Sequence, residues 1–146
     1  MADLQPISAA LEALLADVSL LGAENVSLEA APGRVLAEAV TAQLDVPPFD
    51  NSAMDGYALR ADDAGQWLPV SQRIAAGTPT QALAPGSCAR IFTGGEIPPG
   101  ADCVVMQERV EVDGERALMP ADIPVGDNVR RQGARCASGQ RAVECR

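Results

Sequence analysis

Residues 47–58 read Pro-Pro-Phe-Asp-Asn-Ser-Ala-Met-Asp-Gly-Tyr-Ala. Pro47 and Pro48 favour extended backbone and offer no N–H donors. Asp50, Asn51 and Ser52 favour turns, because their side chains bond nearby backbone groups. Asp55-Gly56 is a second turn pair, in which glycine supplies a permissive backbone. Tyr57, Ala58 and Leu59 then open a strand. The stretch is a stiffly held polar loop carrying two carboxylates, an amide and a hydroxyl between Asp50 and Asp55. It also divides the chain: helical spacing precedes it, and short strands with frequent turns follow it. Taken locally, it is either a functional loop or an ordinary pair of surface turns.

Before the loop, Ile7, Leu11, Leu14, Leu15 and Val18 fall on one face of an amphipathic helix. The pattern then predicts a short strand over Glu24–Leu28. A second short helix is expected from Ala31-Pro32-Gly33-Arg34 through Ala39, and extended chain over Val40–Leu44. After the loop, strands are expected at Gly56–Arg60, Leu68–Ala75, Ser87–Phe92, Cys103–Met106, Arg109–Val112 and Arg116–Met119. Asp113-Gly114 marks a hairpin between the last two, and residues 61–65 read as a helical turn. The fold class is therefore α+β, a helical N-terminal segment followed by a β-rich domain.

Composition narrows the chemistry. The 146 residues carry a net charge of −9, which argues against general nucleic-acid binding. Residues 1–129 hold six arginines against nineteen acids, whereas residues 130–146 hold five arginines against Glu144 alone. The chain has no histidine and no lysine, which excludes Ser-His-Asp systems, histidine metal sites and Schiff-base chemistry. Carboxylates, hydroxyls, arginines and backbone N–H groups remain. No apolar run reaches membrane-spanning length, and the first residues lack the basic start of a secretory signal, so a cytoplasmic protein is expected. No two of Cys88, Cys103, Cys136 and Cys145 have the spacing of a zinc or redox motif. Cys88 and Cys103 read as buried strand residues.

A second loop repeats the layout of the first. Ile91-Phe92-Thr93-Gly94-Gly95-Glu96-Ile97-Pro98-Pro99-Gly100-Ala101-Asp102 runs from apolar strand through polar turn and proline pair toward another strand. Gly94 and Gly95 permit positive φ or a close ligand, and successive exposed N–H groups there suit an oxyanion. A plain hairpin turn is the alternative reading.

Together these pieces resemble the molybdenum-insertion enzymes of molybdenum-cofactor biosynthesis, of the MoeA and gephyrin E-domain type. The resemblance rests on Ala31-Pro32-Gly33-Arg34-Val35-Leu36-Ala37, the run from Pro47 to Ala58, and Ala75-Ala76-Gly77. It continues through Ile91 to Gly95, Pro98 to Glu108, and Asn128-Val129-Arg130-Arg131-Gln132-Gly133. It implies a homodimer in which residues 1–45 belong to a dimer-forming domain. Residues 46–128 would form an inserted β-domain, and residues 129–146 a return segment and divergent basic tail. It implies molybdate and adenylylated molybdopterin as substrates, Mg²⁺ as cofactor, and a cleft between subunits. Asp55 and Thr93 match the family's catalytic carboxylate and hydroxyl, with Asp55 as the metal ligand. Thr93 with Gly94 and Gly95 would receive an oxyanion. Asp50, Asn51 and Ser52 would brace the loop, and Asn51, Ser52, Gly94 and Gly95 are the candidate cofactor-binding positions.

Two departures accompany the resemblance. The family follows Arg-Arg-x-Gly with Glu-Asp, whereas this chain has Ala134 and Arg135, and residues 134–146 are expected to leave the pattern. The sequence ends at Arg146, before the family's pterin-binding domain. An N-terminal portion that does not insert molybdenum alone is therefore expected. A non-catalytic dimerisation or scaffold module is the alternative.

Overall fold

Helix α1 (Ile7–Ala16) forms where the apolar spacing places it, but none of its side chains is buried. The computed structural model describes residues 5–19 and 21–143. The rest of the N-terminal stretch is less helical than expected. Residues 21–27 are irregular, followed by one 3-10 turn, Leu28–Ala30. An isolated strand at Glu24–Leu28 would have no neighbour for its backbone groups, and none forms. The second helix is replaced by a turn in which the Arg34 N–H donates to Ala31 O at 3.1 Å. Gly33 sits there at φ +82°, outside the helical region, so a helix cannot propagate through it.

Among the described residues ten strands follow: β1 (Val40–Thr41), β2 (Asn51–Ser52), β3 (Gly56–Leu59), β4 (Trp67–Ile74), β5 (Cys88–Ile91), β6 (Cys103–Met106), β7 (Glu111–Asp113), β8 (Arg116–Leu118), β9 (Val129–Arg130) and β10 (Arg141–Val143). Six form one sheet in the order β6-β3-β5-β4-β8-β7. Only β4 and β5 pair in parallel, through a crossover of residues 75–87. The first half of β4 pairs with β8 and its second half with β5, which curls the sheet. The Asp113-Gly114 hairpin joins β7 to β8 as expected. The strand expected from Arg109 begins later, because Gln107–Arg109 is a 3-10 turn.

Both faces of the central strands are covered, so all four residues of β3 are buried. On one face Tyr57, Leu59, Cys103 and Val105 pack with Leu68, Ala117 and Met119. On the other Ala58, Ala89, Ile91 and Val104 pack with Ile74 and Leu83. Cys88 and Cys103 are buried strand residues, and desolvation pushes both thiols up to about 12. They are protonated packing groups. Contacts divide the chain into two units, one through Glu38 and one holding the described residues from Ala39 onward. No helix among the described residues is long and apolar enough to cross a membrane.

Candidate active site

The register of two strands brings the polar loops together. β3 and β5 are antiparallel with Gly56 opposite Ile91, so the start of β3 lies beside the end of β5. Asp55 directly precedes β3, and Thr93 lies two residues beyond β5. Asp55 Oδ1 accepts two hydrogen bonds, from the Thr93 N–H at 2.8 Å and from Thr93 Oγ1 at 2.7 Å. Both side chains are exposed. These bonds, the backbone donor first, hold the Asp55 carboxyl below its ordinary value, with a smaller contribution from the Arg90 guanidinium.

Backbone bonds zip the loops behind that contact. The Ser52 N–H donates to Gly95 O and the Gly94 N–H to Ser52 O, each at 2.9 Å. The Ile97 N–H reaches Asp50 O at 3.0 Å. Ser52 is fully buried, and its hydroxyl donates to Met54 O, closing a turn within the loop. Gly94 takes φ +82°, and a Cβ at Gly95 would lie 2.9 Å from Phe92 O. Both glycines therefore serve the chain's own turn.

The donor inventory changes the expected chemistry of this tip. The Gly95 N–H donates to Phe92 O at 2.8 Å, so the N–H groups of Thr93, Gly94 and Gly95 are all engaged within the chain. The Thr93 hydroxyl proton goes to Asp55. The row of open donors expected for an oxyanion is thus absent here. What faces outward is acceptor: Asp55 Oδ2, which accepts no bond among the described residues, and the lone pairs of Thr93 Oγ1. Nearby, Asn51 Oδ1 is buried and has no hydrogen-bond partner among the described residues.

Sequence reading missed how the return segment supports this loop. Asp50 accepts from the Gln132 N–H at 2.8 Å and from Arg131 at 2.6 Å. The same two groups, the backbone donor ahead of the guanidinium, lower its pKa. Strand β9 pairs with β2, and Asp45 accepts from Gln132 Nε2 at 2.6 Å and from the Ser138 N–H at 2.8 Å. Asp50 reads as a brace of the loop and Arg130-Arg131 as part of the closing motif, but nothing in their sequence spacing pairs them. Ala134 and Arg135 are exposed, and Arg135 forms no ion pair among the described residues. No group of three His, Cys, Asp or Glu residues among those described is placed to hold a metal. A Mg²⁺ site here would have one protein carboxylate arm, a known arrangement for an ion that keeps waters and substrate phosphates.

A pH titration reads the Asp55–Thr93 contact directly. A carboxylate with a depressed folded-state pKa stabilises the fold above its unfolded value. That contribution falls away as pH drops through the folded value. The Thr93 amide resonance is expected to shift with a midpoint below 3.8, the ordinary Asp value. A midpoint at or above 3.8 would show that the contact is not formed in solution.

A curled sheet whose end carries two braced, facing loops defines a class of proteins with a loop-borne site. The family described as MoeA N-terminal region (domain I and II) matches residues 5–145, and the chain belongs to it. The match includes residues 134–145, where sequence reading expects the pattern to end; the structure likewise pairs β10 with β1. Among curated relatives, the molybdopterin molybdenumtransferase of Nostoc sp. is 42% identical over 124 residues, covering 80% of this chain and 28% of the relative. That of Haemophilus influenzae is 39% identical over 125 residues, covering 83% and 31%. The crystal structure of the molybdopterin biosynthesis moeA protein from Pyrococcus horikoshii OT3 matches with a TM-score of 0.85 and 34% identity. It covers 98% of this chain and 40% of that one. The chain thus spans about a third or less of the length of these curated relatives.

Proposed function

We propose that the chain forms part of a molybdenum-cofactor biosynthesis enzyme that inserts molybdate into adenylylated molybdopterin with release of AMP. The observation that carries this reading is the Asp55–Thr93 contact, which fixes an exposed, ionised carboxylate at the meeting point of two loops. The names of the relatives supply the molybdopterin and transferase parts. Asp55 Oδ2 and Thr93 Oγ1 are the oxygens that would hold Mg²⁺, which when bound supplies positive charge against phosphate oxygens. Asp55 also orients a water toward the substrate phosphate. Ser52 and Asp50 keep the tip rigid from behind.

In this reading residues 1–45 belong to a dimer-forming domain, and residues 46–128 form the inserted β-domain. The enzyme is a cytoplasmic homodimer with the cleft between subunits, and it contacts neither nucleic acid nor membrane. The exposed apolar face of α1 supports a subunit contact. The second reading, a non-catalytic scaffold module, is favoured by the exposed Arg135, which forms no ion pair among the described residues, where the resemblance calls for an acid.

A chimera tests both readings. Residues 5–145 replace the matched part of the Nostoc relative, and molybdenum insertion is measured with molybdate, Mg²⁺ and adenylylated molybdopterin. Insertion is expected, whereas the 146-residue chain assayed alone yields none. A folded chimera that stays silent, even after A134E/R135D restores the acidic pair, would favour the scaffold. Turnover by the chain alone would refute the idea that it supplies only part of the site.

A further inference from the structure

The donors missing from the loop tip are found on the neighbouring sheet face. Arg73 on β4 and Arg90 on β5 are cross-strand partners, so their side chains leave the same face of the sheet. Both guanidiniums lie over the Phe92 ring, at 4.5 and 4.4 Å from its centroid, and Arg90 also lies 5.4 Å from that of Tyr57. Two like charges thus share one aromatic ring in a chain of net charge −9. Neither has a carboxylate within ion-pair distance among the described residues.

Arg90 is held in place from behind. It donates to Gly56 O and Ile91 O, each at 2.8 Å, and to Gln107 Oε1 at 2.5 Å. Those bonds use three of its five donors and leave two without a partner among the described residues. Arg73 is exposed and makes no hydrogen bond among the described residues. The two arginines line a cavity of about 390 Å³, with Tyr57 and Gln72 beside them and the tip of the β7–β8 hairpin, at Gly114 and Glu115, on its rim. Glu115 lies too far from either guanidinium to form an ion pair.

We infer that this cavity is an oxyanion site, built to take a phosphate-class group between Arg73 and Arg90. A fixed guanidinium beside a free one offers two forks to a tetrahedral dianion. The anion also relieves the repulsion between the two charges. The ring-stacked arginines are more weakly hydrated than lysines, so they lose little on binding. The site adjoins the acceptor tip, since Arg90 bonds the Gly56 carbonyl beside Asp55, but it is built from different side chains and does not depend on molybdenum chemistry.

Nuclear magnetic resonance titration of the 146-residue chain tests it. The probes are inorganic phosphate and, separately, phenyl phosphate, each against sodium chloride at matched ionic strength. Saturable shifts are expected at Gln72, Arg73 and Arg90, including the arginine side-chain resonances, with a dissociation constant of about 1 mM. Arg73→Gln is expected to weaken binding at least about fivefold without unfolding, because the side chain is exposed and bonds nothing. Arg90→Gln removes carbonyl bonds as well, so Arg73 is the deciding position. Saturation by both probes identifies the oxyanion itself as the ligand. Saturation by phenyl phosphate alone identifies a larger monoester. No saturation by either, equal shifts with chloride, or unchanged binding in Arg73→Gln would overturn the assignment.

Discussion

Asp55→Asn, introduced into the chimera with the Nostoc relative, lowers the molybdenum-insertion kcat by about 100-fold while leaving the melting temperature nearly unchanged. The separation of the two effects follows from the geometry. Asparagine keeps a carbonyl oxygen where Asp55 Oδ1 now accepts both Thr93 bonds, so the loops stay joined. The negative charge is lost, and a nitrogen donor replaces Oδ2, which accepts no bond among the described residues. A cation or an oriented water loses its anchor while the scaffold is untouched. Asp55→Ala would instead remove the cross-loop bonds too and confound the two contributions. The kcat of Asp55→Asn and its Thr93 amide shift should therefore be measured on the same preparation. Full activity in the presence of an intact amide shift would leave Asp55 as a turn residue only.

Gly56→Ala has the largest expected effect on stability. Gly56 opens β3, the strand between β5 and β6. A Cβ there would lie 1.9 Å from Val105 O, 2.8 Å from Val105 C and 3.2 Å from Met106 Cα. All three atoms are backbone of the paired strand, so no rotamer change can relieve the clash. Either the β3–β6 ladder opens at this end or the whole strand shifts. Overpacking of this kind costs at least about 3 kcal/mol. A chain of this size then melts about 10 °C lower or more. Gly22→Ala is the control: nothing lies within 4 Å of its added Cβ, and its effect should stay within about 0.5 kcal/mol. Thermal unfolding followed by circular dichroism compares the two, and a Gly56→Ala protein melting with the wild type would mean that β3 and β6 do not pair as described. Because Gly56 also lies next to Asp55, its change is expected to disturb the site together with the fold.

These two neighbours show which parts of the molecule were legible in the chain and which were not. Asp55-Gly56 reads as a turn pair, and the strand after it begins where expected. The sequence does not show that Gly56 is required by a carbonyl on β6, about fifty residues later, since that contact depends on register. The six strands of the main sheet were legible because their apolar runs are short and bounded by turn residues; the two-residue strands β2 and β9 and strand β10 were not, because their pairing depends on partners far along the chain. The failures lie where the pattern is local but the outcome is not. Residues 31–39 carry helical spacing, yet Gly33 adopts φ +82° and the chain turns. Residues 24–28 suit a strand, yet no strand among the described residues pairs with them.

The candidate site divides in the same way. Its candidate members, Asp55, Thr93, Asn51, Ser52, Gly94 and Gly95, are named through the family resemblance, since each loop by itself also reads as a plain turn; that the two loops meet follows from the pairing of β3 with β5. Their individual duties were not identifiable. Ser52 is sealed in the interior, and the glycine N–H groups are engaged by the chain's own carbonyls. Asp50 is tied to Arg131 and Gln132 of the return segment, a pairing that the sequence does not show.

Residue type and spacing alone determined the α+β class, the absence of imidazole and ammonium chemistry, and the two proline-braced loops. Those properties depend only on what each short stretch contains. Tertiary structure decided that the loop tip presents acceptors, that the return segment clasps it, and that Arg73 and Arg90 share one ring. Each of these depends on which donors remain after distant strands have paired, and hydrogen bonds between distant segments are settled only when the whole sheet closes.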